Sequence, residues 1–243
     1  ANELVLRFES PEQGGVRLVK TYTLKRGDYV ARVRHEVVNA GGEPVSPQLY
    51  VQLVRDGNPA PGGTSFYSTF TGPAFYTDAK KFQKVEFADI DKGKAEFVTQ
   101  APDGWVAMVQ HYFASAWLLP PGMAHDNFAR KLDNALYAAG MIAPMGAIAP
   151  GASQAVETRL FIGLQDEKVL EGIAPGLELV KDYGYFTILA KPLYWLLDKL
   201  HGVLGNWGWA IVALVVLLKI AFYWLNAKAY ASMAKMKAIN PRI

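Results

Sequence analysis

Lys219 is the residue with the sharpest chemical meaning in this sequence. It stands inside Trp207–Leu225, nineteen residues that carry that one charge. An ammonium at such a position costs about 2.5–3.5 kcal/mol on transfer into a bilayer. It therefore either faces a wet cavity, where it attracts anionic groups, or snorkels to the interface, six residues and about 9 Å away at Leu225. Val212 and Tyr223 share its helical face, so a cavity there has a mixed lining. Other constellations are incomplete. His35-Glu36-Val37-Val38-Asn39 begins like a zinc-protease helix but has no second His. His35, His111, His125 and His201 are dispersed, and no phosphate loop, dinucleotide fingerprint or nucleophile elbow is present. The absence of Cys excludes disulfides, zinc-thiolate sites and thiol catalysis. The expectation is a protein that is not an enzyme and needs no metal or cofactor. The aromatic runs Phe66-Tyr67, Phe75-Tyr76 and Tyr112-Phe113 serve core and rim packing, or line a sugar or peptide groove.

Residues 3 to about 165 must supply the frame, and they read as β. Leu4, Leu6 and Phe8 alternate with Val5 and Arg7. Val16–Leu24 and Tyr29–Val38 flank the turn Lys25-Arg26-Gly27-Asp28, which predicts a hairpin. Prolines 44, 47, 59, 61 and 73 mark strand ends and loops up to Tyr76. Lys84–Phe87, Ala95–Thr99, Tyr137–Ile142 and Ala155–Gly163 are further strand candidates. Gly104–Trp117 is the most apolar part and predicts a core strand pair with a kink. Many short strands with turns between them argue for a sandwich rather than a parallel α/β sheet. Asp166–Ala174 predicts a short helix ended by Pro175-Gly176, and Leu177–Val180 a further short strand. The β-domain is thus expected over residues 1–180.

From Gly184 the pattern changes. Pro192 is placed to open a helix, and Leu193, Leu196, Leu197, Leu200, Val203 and Leu204 form one stripe at helical spacing. Lys191, Asp198, Lys199 and His201 oppose it. With Tyr194 and Trp195 this predicts an amphipathic helix over 184–205, lying in the membrane interface or covering the sandwich. The next segment favours the interface. Residues 207–225 extend about 28 Å, matching a hydrocarbon core of roughly 30 Å, with Trp207, Trp209, Tyr223 and Trp224 as an aromatic belt. This predicts a transmembrane helix.

The net charge is +3, with +5 from Gly205 onward and hence −2 before it. That is a basic tail rather than a basic face, and it gives no support for DNA binding. Because Lys228, Lys235, Lys237 and Arg242 follow the span without an acid, the positive-inside rule places residues 226–243 in the cytoplasm and the β-domain outside, in the periplasm. This tail, which also carries Met233 and Met236, meets anionic lipid at about 1 kcal/mol per basic residue, or ribosomal RNA or a partner protein. A β-domain of this size needs an export signal or transmembrane helix ahead of Ala1, and the helical pattern is expected to continue past Ile243.

Thr21–Gly41 (TYTLKRGDYVARVRHEVVNAG), Gly104–Trp117 (GWVAMVQHYFASAW) and Gly205–Ile243, with GNWG before the apolar span and YASMAKM after it, resemble the bacterial YidC membrane-protein insertase family. The resemblance covers nearly the whole chain and preserves segment order. It implies a periplasmic β-supersandwich of galactose-mutarotase-like fold, an interfacial helix, the first helix of a five-helix core at 207–225, and the start of a cytoplasmic helical hairpin at 226–243. It implies an insertase and chaperone of the bacterial inner membrane, multi-pass in the full protein. A hydrophilic groove holds one basic residue, at the position of Lys219. Its partners would be nascent inner-membrane proteins, the lipid bilayer, Sec translocon components and the ribosome. The pattern departs twice: Lys stands where the family usually has Arg, and Trp224 follows Tyr223 where Pro is expected. The alternative is a periplasmic sandwich that binds or modifies carbohydrate and is tethered by one helix. A third reading is a domain that docks on the secretion channel.

Overall fold

The computed structural model describes residues 2–58, 70–132, 135–181, 187–223 and 227–228. The chain divides into two compact units, Ala1–Asp182 and Tyr183–Ile243.

In the first unit, the described residues form twelve strands. They are β1 (Glu3–Glu9), β2 (Val16–Lys25), β3 (Val30–Asn39), β4 (Gln48–Asp56), β5 (Gly72–Thr77), β6 (Lys81–Lys84), β7 (Gln100–Ala101), β8 (Trp105–Val109), β9 (Phe113–Leu118), β10 (His125–Lys131), β11 (Leu136–Pro144) and β12 (Ser153–Leu164). Two short helices, α1 (Phe87–Asp91) and α2 (Glu167–Glu171), and a 3-10 turn (Leu177–Val180) complete it. An eight-stranded sheet in the order β1-β2-β3-β12-β9-β8-β5-β6 faces a four-stranded sheet in the order β4-β11-β10-β7. All strand pairs are antiparallel. The fold is therefore the mainly-β sandwich that the strand pattern predicts.

The β2–β3 hairpin forms where the charged turn requires it. Asp28 N–H donates to the Lys25 carbonyl (3.1 Å), and the Asp28 carboxylate accepts from Val30 N–H (2.9 Å). The period of two then sorts side chains into two layers. Val33 and Val37 of β3, Phe75 of β5, Val106 of β8 and Trp117 of β9 pack between the sheets against Leu49 and Val51 of β4 and Met141 of β11. Trp117 Nε1–H donates to the Gln52 carbonyl (3.0 Å) and so ties β9 to β4 of the opposite sheet. The outer face of β8 and β9 (Trp105, Ala107, Ala114, Ala116) is covered by Leu170 of α2 and by Leu177 and Val180 of the 3-10 turn. Burial on both faces explains why Trp105–Val109 is apolar without alternation.

The structure corrects several boundaries. Lys84–Phe87 is not a strand: β6 ends at Lys84 and α1 begins at Phe87, with Asp89 N–H donating to the Glu86 carbonyl (3.0 Å). Ala95–Thr99 joins no ladder. Side chains hold it instead: Phe97 stacks on Phe75 (4.5 Å) and Val98 N–H donates to Gln83 Oε1 (3.1 Å). Leu177–Val180 is a 3-10 turn because its two apolar ends, Leu177 and Val180, are both buried on one side. β4 and β5 lie inside the stretch that its prolines suggested was loops and strand ends, and β10 was not anticipated.

His35 shows the energetics of the interior. Its Nε2–H donates to Thr158 Oγ1 (3.0 Å), whose own hydroxyl donates to the Val33 carbonyl (3.3 Å). Burial, reinforced by the charge of Lys20, lowers its pKa to about 4. As pH falls, the unfolded chain binds a proton below pH 6.5 while the folded chain resists until about 4. Stability is therefore full above that window, declines through it, and loses nothing further from this group below it. After allowance for screening at a half-buried site, the loss is about 1–2 kcal/mol. Thermal unfolding followed across this range should show that slope, and His35→Gln should flatten it. An unchanged slope in the variant would assign it to other groups.

Candidate functional site

The second unit is built from α3 (Thr187–Leu204) and α4 (Trp207–Ala221). α3 starts five residues before Pro192, so that proline lies inside the helix rather than opening it. It removes one N–H from the second turn, a loss the surrounding turns absorb. Leu193, Leu196, Leu197 and Leu200 are half-buried, while Val203 and Leu204 of the same predicted stripe are exposed. Trp195 is exposed, and Lys199 Nζ lies 6.0 Å from its ring centroid.

α4 begins at a side-chain cap. Asn206 Oδ1 accepts from Gly208 N–H (2.8 Å) and Trp209 N–H (3.3 Å). His201 of α3 stacks on Trp207 at 3.8 Å and 8°. Asn206→Ala removes both cap bonds and should lower helix stability by about 1 kcal/mol, read as a loss of helical ellipticity. Unchanged ellipticity would mean that packing against α3 alone fixes the start of α4.

Along α4 most apolar side chains are exposed, while Ala210, Ala213, Leu214 and Leu218 form a more covered side. Trp209, Ile211, Val212, Val215, Val216, Leu217 and Ile220 are exposed, and only Ala210 is buried among the described residues of this helix. Lys219 is exposed in the last turn, where a cation also suits the helix dipole. Val212 and Lys219 stand seven residues apart on α4, Tyr223 follows its C-cap, and all three are exposed. Trp207 and Trp209 are exposed at the opposite end. Lys228 is helical and exposed. Trp224, Lys235, Lys237 and Arg242 lie outside the described residues. Among the described residues no helix is long and apolar enough to cross a membrane; α4 is described over Trp207–Ala221, and the expected boundary at Leu225 lies outside the described residues.

The first unit holds a feature that the sequence did not single out. Asp78, Asp103, His125 and Arg159 come from four separated stretches and line one cavity of about 350 Å³. Its walls include Leu118, Pro120 and Pro175. His125 also borders a more open cavity beside it, with Gln100 and Ile142. Among the described residues no group of three or more His, Asp or Glu is placed to hold a metal ion.

The described residues thus form a two-sheet sandwich and a separate pair of helices with many exposed apolar side chains. The comparisons with known proteins make this specific. The family described as YidC periplasmic domain matches residues 1–196, and the family described as 60Kd inner membrane protein matches residues 199–243. Membrane protein insertase YidC of Burkholderia vietnamiensis is 58% identical over 242 residues, covering 100% of this chain and 44% of the relative. That of Burkholderia pseudomallei is 57% identical over 242 residues, covering 100% and 43%. The chain belongs to the YidC family of membrane protein insertases. It spans about 44% of the length of the curated relatives it matches. Among solved structures it is similar to a galactose mutarotase related enzyme from Lactobacillus acidophilus, with a TM-score of 0.42 and 10% identity over 67% of this chain and 68% of that one. It is also similar to an α-galactosidase from Lactobacillus brevis, with a TM-score of 0.40 and 9% identity over 70% and 27%.

Proposed function

We propose that the protein to which this chain belongs inserts and chaperones proteins of the bacterial inner membrane. In this reading residues 207–225 cross the bilayer as one wall of a hydrophilic groove, and Lys219 supplies the groove's positive charge. Residues 184–205 lie along the periplasmic interface, the β-domain stands in the periplasm, and the basic residues from Lys228 onward face the cytoplasm.

The observation that carries the reading is Lys219 on a helix whose other exposed side chains are apolar. Such a helix is unstable in water and comfortable in lipid, where its one cation has a reason to exist only beside a wet surface or an anion. Membership of the insertase family supplies the class of work. The work is physical rather than covalent. A polar, often acidic, substrate tail enters the groove, which shortens its path through hydrocarbon, and the Lys219 ammonium attracts it. Burial of the substrate's own apolar helix in lipid then completes transfer. Nascent inner-membrane proteins are the substrates on this reading. Sec translocon components and the ribosome are the partners proposed for the β-domain and the basic cytoplasmic segment.

The test is complementation of insertase-depleted cells with the full-length protein, comparing Lys219 with Lys219→Ala and Lys219→Glu. Selective failure of acidic-tailed substrates in the Glu variant, at normal membrane abundance, supports the groove. Normal insertion of every substrate by both variants rejects it.

A further inference from the structure

We propose that His201 is a positioning residue: its stack on Trp207 locks the corner between α3 and α4 and so sets the depth of Lys219 in the bilayer. What that depth serves rests on the insertion reading. The corner itself lies within one compact unit.

The first ground is the corner's construction from Gly205-Asn206-Trp207-Gly208. α3 ends at Leu204, and Gly205 takes a left-handed conformation (φ +64°) in which its N–H donates to the His201 carbonyl (2.8 Å). That is a helix stop made by one residue. Asn206 is extended (φ −140°, ψ 124°), and its Oδ1 accepts from the N–H groups of Gly208 and Trp209. A Cβ on Gly208 would stand 3.1 Å from that oxygen, so glycine keeps the cap close. Only Gly205 and Asn206 separate the two helices, and both are held. His201 then spans the turn twice. Its carbonyl takes the Gly205 bond, and its half-buried ring lies 3.8 Å from the Trp207 ring at 8°.

The second ground is what a locked corner does in lipid. α3 carries Lys191, Asp198 and Lys199, so it stays at the interface and does not sink into hydrocarbon. α4 alone has no such fixed depth. Its lone ammonium draws the helix toward the nearer water, and an apolar helix yields to that pull by sliding or tilting. Joined rigidly to α3, the start of α4 is held at the interface. Lys219 stands twelve residues beyond Trp207, about 18 Å. That is past the middle of a core of roughly 30 Å.

The third ground separates the stack from simple anchoring. An interfacial tryptophan presents its ring to lipid and headgroups. Trp207 gives one ring face to the imidazole instead, while Trp209, 66% exposed, is left to anchor the same turn. The stack therefore serves the corner.

The experiment uses the full-length protein in lipid nanodiscs. This chain has no Cys, so Val216→Cys, at an exposed position of α4, carries a single fluorophore in a protein with no other thiol. Its depth is read by quenching with lipids brominated at successive acyl positions. His201→Ala should move the reporter toward the cytoplasmic face by about 3 Å or more, half a helical turn. In cells it should lower insertion of acidic-tailed substrates about threefold relative to neutral-tailed ones. His201→Phe keeps a flat ring for Trp207 and should restore both readouts. Gly205→Ala strains the turn without a clash, since nothing lies within 4 Å of the added carbon. It should move the reporter in the same direction, and it decides the matter if His201→Ala does not accumulate. An unmoved reporter in folded His201→Ala or Gly205→Ala, or equal displacement by His201→Phe and His201→Ala, would overturn the proposal. So would equal loss of both substrate classes over an unmoved reporter, which is a merely structural effect. A displaced reporter with no selectivity for tail charge, in His201→Ala and in Lys219→Glu alike, would uphold the locked corner and reject the insertion reading instead.

Discussion

Gly104→Ala should abolish cooperative unfolding of the β-sandwich at physiological temperature, because the chain will no longer reach the native fold. Gly104 precedes β8 and has φ of +106°, a region closed to side chains. A Cβ there would overlap the Tyr76 carbonyl oxygen and lie 2.9 Å from its carbon and 3.3 Å from the Thr77 Cα. All three atoms are backbone, at the end of β5, where Tyr76 pairs with Trp105. Neither strand can retreat. Tyr76 stacks on Trp105 at 5.5 Å, and Trp105 Nε1–H donates to the Pro175 carbonyl (3.0 Å), so movement would open the outer layer as well. Strain and lost packing together should exceed about 4 kcal/mol, against a typical domain stability of about 5–15 kcal/mol.

Gly27→Ala separates the two causes. Gly27 also has positive φ (+79°), but nothing lies within 4 Å of the added carbon. It should lower stability by about 1 kcal/mol, a shift of a few degrees in Tm. The comparison is made by circular dichroism melting and limited proteolysis. If Gly104→Ala melts as close to the parent as Gly27→Ala does, the β5–β8 junction is looser than its geometry implies and the cavity beside it is not rigid.

What could be read from the residues alone follows from how local the determining interactions are. The β2–β3 hairpin is legible because its turn residues make their own bonds. β8 is legible because burial on both faces leaves an unbroken apolar run, Trp105–Val109. β10 is not, since His125–Lys131 contains mostly polar and charged residues and becomes a strand through pairing with β11, a partner that no local pattern names. β4 was hidden by flanking prolines, although Leu49 and Val51 alternate with exposed neighbours. Pro192 favours a first turn by type, yet it lies inside α3, as the 184–205 bounds already required. Lys219 as the one charge of an apolar run could be read, because composition alone shows it. The cavity could not. Asp78 follows β5, Asp103 precedes β8, His125 opens β10 and Arg159 lies in β12, so only the closed sandwich brings them together.

Lys219→Glu should cost more function than any other single change in the second unit, and its effect should depend on substrate. A carboxylate tail held about 4 Å from an ammonium gains about 4 kcal/mol at an effective dielectric constant of 20. Reversal of the charge turns attraction into repulsion of similar size. Even a third of that difference lowers the entry rate of an acidic tail more than tenfold. Substrates with uncharged tails lose no such term and should insert at nearly the parent rate. Lys219→Arg keeps the charge and should sustain insertion of both classes. Lys219→Ala should lie between, since it removes attraction without adding repulsion. Membrane abundance should not fall in either neutral or reversed variant, because the side chain is exposed on α4 and supports no packing. The measurement is protease protection of paired substrates that differ only in tail charge, in cells expressing each full-length variant. Equal loss for acidic and neutral tails would mean that Lys219 sets the position of the helix in the bilayer rather than the charge of a groove. No loss for either would reduce it to a side chain that reaches the interface and leave the insertion reading resting on family membership alone.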